Sequence, residues 1–430
     1  MSIPGRGPVL LVDVELAAPL VDVDPVRSAA GELYRELRAL VRLHRRPLGT
    51  VRLVLPAEGL DAGLVADAIW DRLAATIQAH CREDGLPVPE KLTAGGLHHP
   101  VSTRCSWRSA LPGPDFPLAT VVVTTCGGGE AKLTATVASA LAQTYPSYEV
   151  VVVDNRPATS GVAAELAAAF PGEPRLRYAA EAARGLTHAR NRGTAVARGD
   201  IVAFTDDDVD LDPDWLACLV AGFDHPDVAC VTGLILPLEL ETPAQALLEE
   251  FGGYGKGFVR RTWDRADRRL DHPLYPYTVG VFGSGANAAF RRQVLAGMGG
   301  FDGHLGAGTP SRGGEDLDIY LTCVQQGYRL VYEPAAIVRH AHLREMAALR
   351  RKVRDYGVGL GAMLTKHLFR DRASAAALLS RVPRGLAYLL STRSPKNATR
   401  SASYPRSLVA VELAGLAYSP FAYLLSRLSR

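Results

Sequence analysis

Short apolar runs alternate with stretches of helical spacing between residues 118 and about 345. Two of the runs, Ala119–Thr125 and Tyr148–Val153, are nearly continuous and rich in β-branched residues, as in strands buried on both faces. Ala131–Thr144 lies between them and has helical spacing. The alternation continues with a helix at Ser160–Ala169, a strand at Leu176–Tyr178, a helix at Gly185–Ala197 and a strand at Asp200–Thr205. Strands that alternate with helices predict a doubly wound, mostly parallel α/β sheet.

The two flanking regions have different patterns. Residues 1–113 mix short apolar runs with helical stretches, which is typical of a small α/β accessory unit. The runs are Val9–Val12 and Val51–Leu55, and the helical stretches are Ala29–His44 and Leu64–Cys81. The proline-rich segment His98–Pro117 is typical of a linker. Residues 346–430 have helical patterns with expected breaks at Pro383, Pro395, Pro405 and Pro420. We therefore expect an accessory unit at 1–113, an α/β domain at 118–345 and a mainly helical region at 346–430.

Basic residues are concentrated in the C-terminal region. Residues 339–430 contain 17 Lys and Arg against four Asp and Glu, whereas the formal net charge of the whole chain is only +3. A basic, amphipathic tail favours attachment to an anionic membrane surface. A helical appendage packed on the α/β domain explains the same pattern equally well. No nucleic-acid-binding motif accompanies the charge, so nucleic acid is not an expected partner.

Cysteine usage and the apolar runs indicate the compartment. The six cysteines form no C-x-x-C pair and are too sparse for a disulfide scaffold, which favours buried thiols in a cytosolic protein. The apolar run near the N-terminus is too short for a signal peptide. Leu408–Leu425 is barely long enough to span a bilayer and contains Glu412 and Pro420. We expect a cytoplasmic protein, with this segment lying on the inner face of the cell membrane rather than crossing it.

Three adjacent carboxylates, Asp206, Asp207 and Asp208, follow the predicted strand that ends at Thr205. Like charges at this spacing repel one another unless a cation neutralises them. Carboxylate oxygens suit Mg²⁺ or Mn²⁺, which usually keep water and recruit substrate phosphates. A solvated acidic turn, or caps for a helix that begins near Trp215, is the alternative.

A second acidic segment, Gly313–Asp318, joins glycines to the start of a helical pattern. Acids in a first helical turn are often only capping residues. The functional interpretation is a general base, Asp316, on a preorganised loop. Downstream, His340 and His342 lie two residues apart on a predicted strand and therefore point the same way. Either imidazole is able to complete a Mn²⁺ site.

Two further segments have the composition of a phosphate-binding site. Arg190 and Asn191 lie on a predicted helix, where they would contact phosphate or ribose, or simply form a solvated basic face. Cys126–Lys132 is glycine-rich and follows the first strand of the α/β region. It lacks the spacing of a P-loop and of the dinucleotide-binding fingerprint, which disfavours both of those folds.

The segment from Thr120 to His342 resembles the family-2 inverting glycosyltransferases of the GT-A fold. The resemblance covers about half of the chain and depends on several motifs in the family's order. They are Val121–Thr125, Val151–Asn155, Ala189–Gly193, Asp206–Asp208, Gly285–Arg292, Gly299–Asp302, Gly314–Asp316 and Tyr332–Pro334, followed by His340.

The resemblance implies a role for each matching residue. Asp316 would be the catalytic base, and Asp154 would read the nucleotide base. The ligands of a Mg²⁺ or Mn²⁺ ion would be Asp206 and Asp208, with His340 or His342 as a further ligand. The implied donor-binding residues are Thr125, Asp154, Arg190, Asn191, Asp206, Asp207, Asn287 and Glu315. The implied reaction moves a sugar, with inversion, from a nucleotide-sugar to a hydroxyl of a saccharide, a lipid-linked molecule or a small molecule.

The sequence departs from the family pattern in two places. Thr124–Gly127 replaces the Pro-Thr-Tyr-Asn-like turn of many relatives. No Q-x-x-R-W follows Asp316, so a single transfer is expected rather than processive synthesis. Two rival functions use the same fold type. A non-catalytic nucleotide-sugar-binding or scaffold protein is disfavoured by the intact acidic set, and a sugar nucleotidyltransferase by the sequence of Gly127–Lys132.

Overall fold

A nine-stranded sheet forms the centre of the computed structural model, which describes residues 7–98, 116–127, 130–252, 254–370, 372–391 and 394–429. The strands are β4 (Ala119–Thr125), β5 (Tyr148–Asp154), β6 (Leu176–Ala180), β7 (Ile201–Thr205), β8 (Val209–Leu211), β9 (Val228–Pro237), β10 (Arg261–Trp263), β11 (Asn287–Arg291) and β12 (Arg329–His340). Their order is β10-β12-β9-β11-β7-β4-β5-β6, and β8 pairs with β12. β4, β5, β6 and β7 are parallel, and β9 and β12 run in the same direction beyond the antiparallel β11.

Helices cover both faces of this sheet. They are α2 (Glu130–Leu141), α3 (Val162–Ala169), α4 (Leu186–Val196), α5 (Trp215–Ala221), α6 (Pro243–Glu250), α7 (Arg292–Gly297) and α8 (Glu315–Gln325). Val121 and Val123 of β4 lie in one core with α2, α3 and α5, whereas Val122 lies in a second core with α4, α7 and α8. Alternate side chains of a strand point to opposite faces, so this distribution confirms the predicted doubly wound, mostly parallel sheet.

The N-terminal unit has its own three-stranded sheet of β1 (Val9–Glu15), β2 (Glu36–Leu43) and β3 (Arg46–Val54), against which α1 (Ala62–Asp84) packs. The helix expected at Ala29–His44 is wrong, because this segment contains β2. Its apolar residues Leu37, Ala39, Val41 and Leu43 alternate with Arg38, Leu40 and Arg42. The first four residues lie in the core with α1. Both arginines pair with acids of the nine-stranded sheet and its helices, which together are called the central unit. A pattern of period two was therefore mistaken for helical spacing.

Ion pairs join the N-terminal sheet to the central unit. Arg42 is buried and lies 2.7 Å from Asp212 and 2.9 Å from Asp13. At the turn between β2 and β3, Arg45 lies 2.9 Å from Asp214, the residue before α5. Most of the predicted linker lies outside the described residues, and the division of the chain into domains stays a prediction.

The C-terminal region is helical, as predicted, and comprises α9 (Met346–Leu368), α10 (Arg372–Leu379), α11 (Val382–Leu390) and α12 (Arg406–Leu428). α9 and α12 approach closely: a Cβ atom on Gly357 would lie 2.1 Å from the carbonyl oxygen of Glu412. The break expected at Pro420 is wrong, since this proline lies inside α12. Ser419 Oγ donates to the carbonyl oxygen of Leu416, which the proline leaves without its helical partner.

Arg406–Leu428 is also long and apolar enough to cross a membrane by length and composition alone, with a mean hydropathy of 1.6. A third of its most apolar window is buried inside the protein. A buried share of this size agrees with the close contact between α12 and α9.

Candidate functional site

The acidic cluster, Asp206–Asp208, lies beyond the carboxyl end of β7, next to the end of β12. Val209 of β8 pairs with His340 of β12, and the backbone nitrogen of Ala341 donates to the carbonyl oxygen of Asp208. This register brings His340 Nε2 to 3.8 Å from Asp206 Oδ2 and 3.5 Å from Asp208 Oδ1. Two distant segments of the chain thus supply one group of donor atoms.

This group fits a divalent cation. One ligand atom from each of Asp206, Asp208 and His340 lies within 4.8 Å of the other two. Two carboxylates and one imidazole suit Mn²⁺, and the carboxylates also suit Mg²⁺. All three side chains are only partly buried, which leaves room for water and substrate oxygens.

His342, the other histidine predicted as a metal ligand, is not among the three residues whose ligand atoms converge. Its ring lies 5.8 Å from that of His340, and its Nε2 is 2.9 Å from Glu249 Oε1. The prediction assumed that both histidines continue one strand, but β12 ends at His340. Alternation along a strand therefore does not apply to His342, and its role as a ligand stays a prediction.

Arg190 is buried between the acidic cluster and the start of α8. Its guanidinium lies 3.1 Å from Glu315 Oε1 and 3.6 Å from Asp206 Oδ1. Burial alone would raise the pKa of Asp206, but His340 and Arg190 outweigh it and bring this pKa to about 2. Burial and the neighbouring Asp316 raise the pKa of Glu315 to about 7, against the opposing effect of Arg190. Arg190 therefore holds two acidic segments together rather than facing solvent.

Asp316 lies in the first turn of α8, and the space between this turn and the acidic cluster is the candidate cleft. Its carboxylate accepts from the backbone nitrogens of Gly285, at 2.9 Å, and Leu317, at 2.8 Å. A Cβ atom on Gly285 would lie 2.6 Å from a guanidinium nitrogen of Arg190. Because Gly285 has no side chain, its backbone can lie next to both Arg190 and Asp316. Asp316 is partly exposed, as a base that meets a substrate must be.

The loop after β4 is tied to the acidic cluster. Thr125 Oγ1 donates to Asp207 Oδ2 at 2.5 Å and accepts from the backbone nitrogen of Gly127 at 3.1 Å. Burial raises the pKa of Asp207, whereas the hydrogen bond from Thr125 lowers it. Thr125 and Asp207 thus lie at the predicted donor side of the cleft. Gly128 and Gly129 of the glycine-rich segment lie outside the described residues.

Asp154 is fully enclosed at the end of β5. Its carboxylate accepts from the Ser160 hydroxyl, from the Tyr178 hydroxyl at 3.0 Å and from the Arg156 backbone nitrogen at 2.9 Å. A nucleotide base would reach this carboxylate only if one of the two hydroxyls gave up its hydrogen bond. The role of Asp154 in reading the base stays a prediction.

Two predicted donor-binding residues use their side-chain amides in hydrogen bonds within the fold. Asn287 is fully buried; its amide donates to the carbonyl oxygens of Leu234 and Ala336 and accepts from Trp215 Nε1. Asn191 exchanges two hydrogen bonds with the backbone of Phe301. The donor-binding roles of Asn287 and Asn191 stay predictions.

Sequence reasoning missed several groups on the C-terminal side of the cleft. Tyr254 packs its ring 5.3 Å from that of His340, and its hydroxyl is hydrogen-bonded to that of Tyr356. Lys352 Nζ lies 5.3 Å from the Tyr356 ring, and its charge acts on Asp206 and Asp208. Lys352 was visible only as one of several basic residues in the tail, so nothing in the sequence connected it with the acids.

Replacing Arg190 with Met is expected to destabilise the fold by about 3–5 kcal/mol, because Glu315 would remain buried without its cationic partner. Urea unfolding followed by circular dichroism measures the change. The matched control is Arg192→Met, two residues along the same helix and exposed, for which a change below about 0.5 kcal/mol is expected. Equal effects of the two substitutions would contradict the bridging role of Arg190.

The central part of the chain is similar to known proteins. Residues 120–299 match the model of glycosyl transferase family 2. The pre-mycofactocin glycosyltransferase of Mycobacterium tuberculosis is 30% identical over 185 residues, which are 43% of this chain and 36% of that protein. The glucosyl-dolichyl phosphate glucuronosyltransferase of Haloferax volcanii is 27% identical over 214 residues, 48% of this chain and 63% of that protein. This chain thus spans about a third of the first relative's length and under two thirds of the second's.

Among solved structures, a mannosyltransferase from Pyrobaculum calidifontis in complex with GDP-Man and Mn²⁺ is 20% identical. The alignment has a TM-score of 0.48 and covers 73% of this chain and 92% of that one.

Proposed function

We propose that the protein moves a sugar from a nucleotide-sugar donor to an acceptor hydroxyl, because residues 120–299 match the model of glycosyl transferase family 2. The observation that carries the proposal is the shared cleft. Asp206 and Asp208 follow β7, and Asp316 lies in the first turn of α8. Buried Arg190 pairs with Asp206 and with Glu315, the residue before Asp316. This arrangement supports a donor side and an acceptor side within one cleft.

The donor side of this cleft suits a diphosphate. Asp206, Asp208 and His340 would hold Mg²⁺ or Mn²⁺, which supplies charge stabilisation to the diphosphate leaving group worth several kcal/mol. Lys352 adds a positive charge at the same edge. Thr125, which donates a hydrogen bond to Asp207, would line the donor side as well.

The acceptor side centres on Asp316. The backbone N–H groups of Gly285 and Leu317 orient its carboxylate. In this position it would remove the proton of the acceptor hydroxyl as the oxygen attacks the anomeric carbon from the face opposite the diphosphate. Attack from that face inverts the anomeric centre. A single transfer per binding event is proposed, since the processive signature is missing from the sequence after Asp316.

A screen of nucleotide-sugars by thermal shift with Mn²⁺ tests the donor half of the proposal. The matching donor is expected to raise the melting temperature by mass action, whereas nucleoside monophosphates, which lack a diphosphate, should have a smaller effect. Donor consumption is then measured with and without candidate acceptors. Binding without acceptor-dependent consumption would identify a non-catalytic binding protein instead. No shift with any donor would contradict the proposal itself.

We also propose that the acceptor is lipid-linked and that the protein works on an anionic membrane surface. A cavity of about 500 Å³ next to the Asp316 loop is lined by Ala307–Pro310, Arg312, Asp355 and Tyr418. Tyr418 belongs to α12, whose Phe421, Leu424 and Leu428 are exposed. The named substrate of the Haloferax relative, a dolichyl phosphate glycoside, agrees with a lipid-linked acceptor.

A double substitution, Leu386→Glu with Phe421→Glu, is expected to reduce binding to anionic vesicles at least about tenfold, because two exposed apolar side chains are replaced by charges. Vesicle flotation of the full chain measures it. Val259→Glu is the control, since Val259 is similarly exposed outside the C-terminal helices. Unchanged flotation of the double variant would contradict the membrane proposal.

A further inference from the structure

A second group of potential metal ligands lies in the N-terminal unit, outside the cleft. It consists of His44, in the turn between β2 and β3, and of His80 and Asp84, in the last turns of α1. His44 Nδ1 and His80 Nε2 are 3.4 Å apart, and they lie 3.4 Å and 3.2 Å from Asp84 Oδ2. Three donor atoms therefore form a nearly equilateral triangle.

The dimensions of this triangle fit a tetrahedral metal. Zn²⁺ binds imidazole and carboxylate at about 2.0–2.1 Å, so the edges of its tetrahedron measure about 3.3–3.4 Å. Two carboxylate–histidine pairs with a buried histidine are shorter. His342 Nε2 lies 2.9 Å from Glu249, and His367 Nε2 lies 2.9 Å from Asp318. The spacing of the three N-terminal atoms is thus longer than that of these two hydrogen-bonded pairs.

The local backbone brings the three side chains together. His80 and Asp84 are four residues apart, so they lie on the same face of α1. His44 and Arg45 have φ angles of 55° and 69°, which turn the chain tightly between the two strands and direct His44 towards that face. The site also adjoins the C-terminal end of α1, where the helix dipole favours a cation.

Burial of the group further suits a structural ion. The His44 side chain is fully buried, and those of His80 and Asp84 are 10% and 8% exposed. Outside the group, the charges of Arg46 and Glu83 act on His80 in opposite directions. Three protein ligands with slight solvent access leave one position for water.

We propose that His44, His80 and Asp84 bind Zn²⁺ and that this ion fastens the β2–β3 turn to α1. Arg45, next to His44, pairs with Asp214 of the central unit at 2.9 Å. The ion would therefore stabilise the docking of the N-terminal sheet on the α/β domain. This site is separate from the proposed Mg²⁺ or Mn²⁺ site and does not depend on the proposed function.

Zinc binding by the untagged full chain tests the proposal. The protein is stripped with a chelator and dialysed against Zn²⁺ in excess Mg²⁺, and bound zinc is measured by mass spectrometry. Substituting His80→Gln is expected to remove about one zinc per chain, both in the wild type and in an Asp208→Asn background. Asp208→Asn alone should retain that zinc. Equal zinc content and affinity in the wild type and His80→Gln would overturn the proposal.

Two further measurements keep the test decisive if His80→Gln folds poorly. Zn²⁺ should raise the melting temperature of the wild type and of His225→Gln, an exposed histidine control, by at least about 2 °C. Co²⁺ added to the wild type and to Asp208→Asn should give the visible absorption of four-coordinate Co²⁺. No zinc-dependent shift, or no such absorption in either protein, would show that the three residues form only a hydrogen-bonded group.

Discussion

Replacing Asp316 with Asn is expected to lower the rate of sugar transfer by about 10²–10⁴-fold, the usual contribution of a positioned general base. The amide has nearly the same shape as the carboxylate but is unable to take the proton of the acceptor hydroxyl. The backbone N–H groups of Gly285 and Leu317 that now donate to the carboxylate can still donate to the amide oxygen. The local fold should therefore persist.

A measurement of donor binding distinguishes the lower transfer rate of this variant from general damage to the cleft. The variant should bind the nucleotide-sugar nearly as well as the wild type, because Asp206, Asp208 and His340 are unchanged. Initial rates and donor-dependent thermal shifts measure the two effects side by side. Asp224→Asn, at an exposed surface ion pair with Arg260, serves as the control and should keep full activity. Transfer by Asp316→Asn at the wild-type rate would exclude Asp316 as the base.

The central sheet was predictable because its signals are local. β4 and β5 are buried on both faces and consist almost entirely of apolar or β-branched residues. β2 was mistaken for a helix because its arginines pair with acids of another unit, so its polar positions do not mark a solvent-exposed face. The sequence of one segment does not show which partners its charged side chains meet. The spacing of apolar residues in β2 was therefore misleading.

The candidate site shows the same difference between local and tertiary signals. Asp206, Asp208 and Asp316 occupy ends of predicted elements, where a carboxylate is conspicuous. The sequence pointed to Arg190, but its buried contacts with Asp206 and Glu315 depend on tertiary packing. Asn287 resembled a donor contact in its motif, yet it braces Trp215 and two strands. A motif identifies the residue, but only packing shows which way its side chain points.

Replacing Asp208 with Asn is expected to reduce kcat/KM about 10²–10³-fold at low metal concentration, because one of the two carboxylates that face His340 loses its charge. The concentration of Mn²⁺ or Mg²⁺ that gives half-maximal activity should also rise at least about tenfold. Titrations of activity against each metal measure both quantities. Asp210→Asn is the matched control, since Asp210 lies two residues further along and is exposed.

A chelator distinguishes this ion from the proposed zinc. Excess chelator should abolish transfer by the wild type, and Mn²⁺ or Mg²⁺ alone should restore it, since the acidic cluster consists mainly of hard oxygen ligands. If the chelator also lowers the melting temperature by removing an ion from His44, His80 and Asp84, only Zn²⁺ or Co²⁺ should restore that temperature. Because the two groups lie in different units, Asp208→Asn should alter the first response and leave the second unchanged. Undiminished turnover in excess chelator would exclude a metal ion from the reaction and reduce Asp206 and Asp208 to acids neutralised by Arg190 and His340.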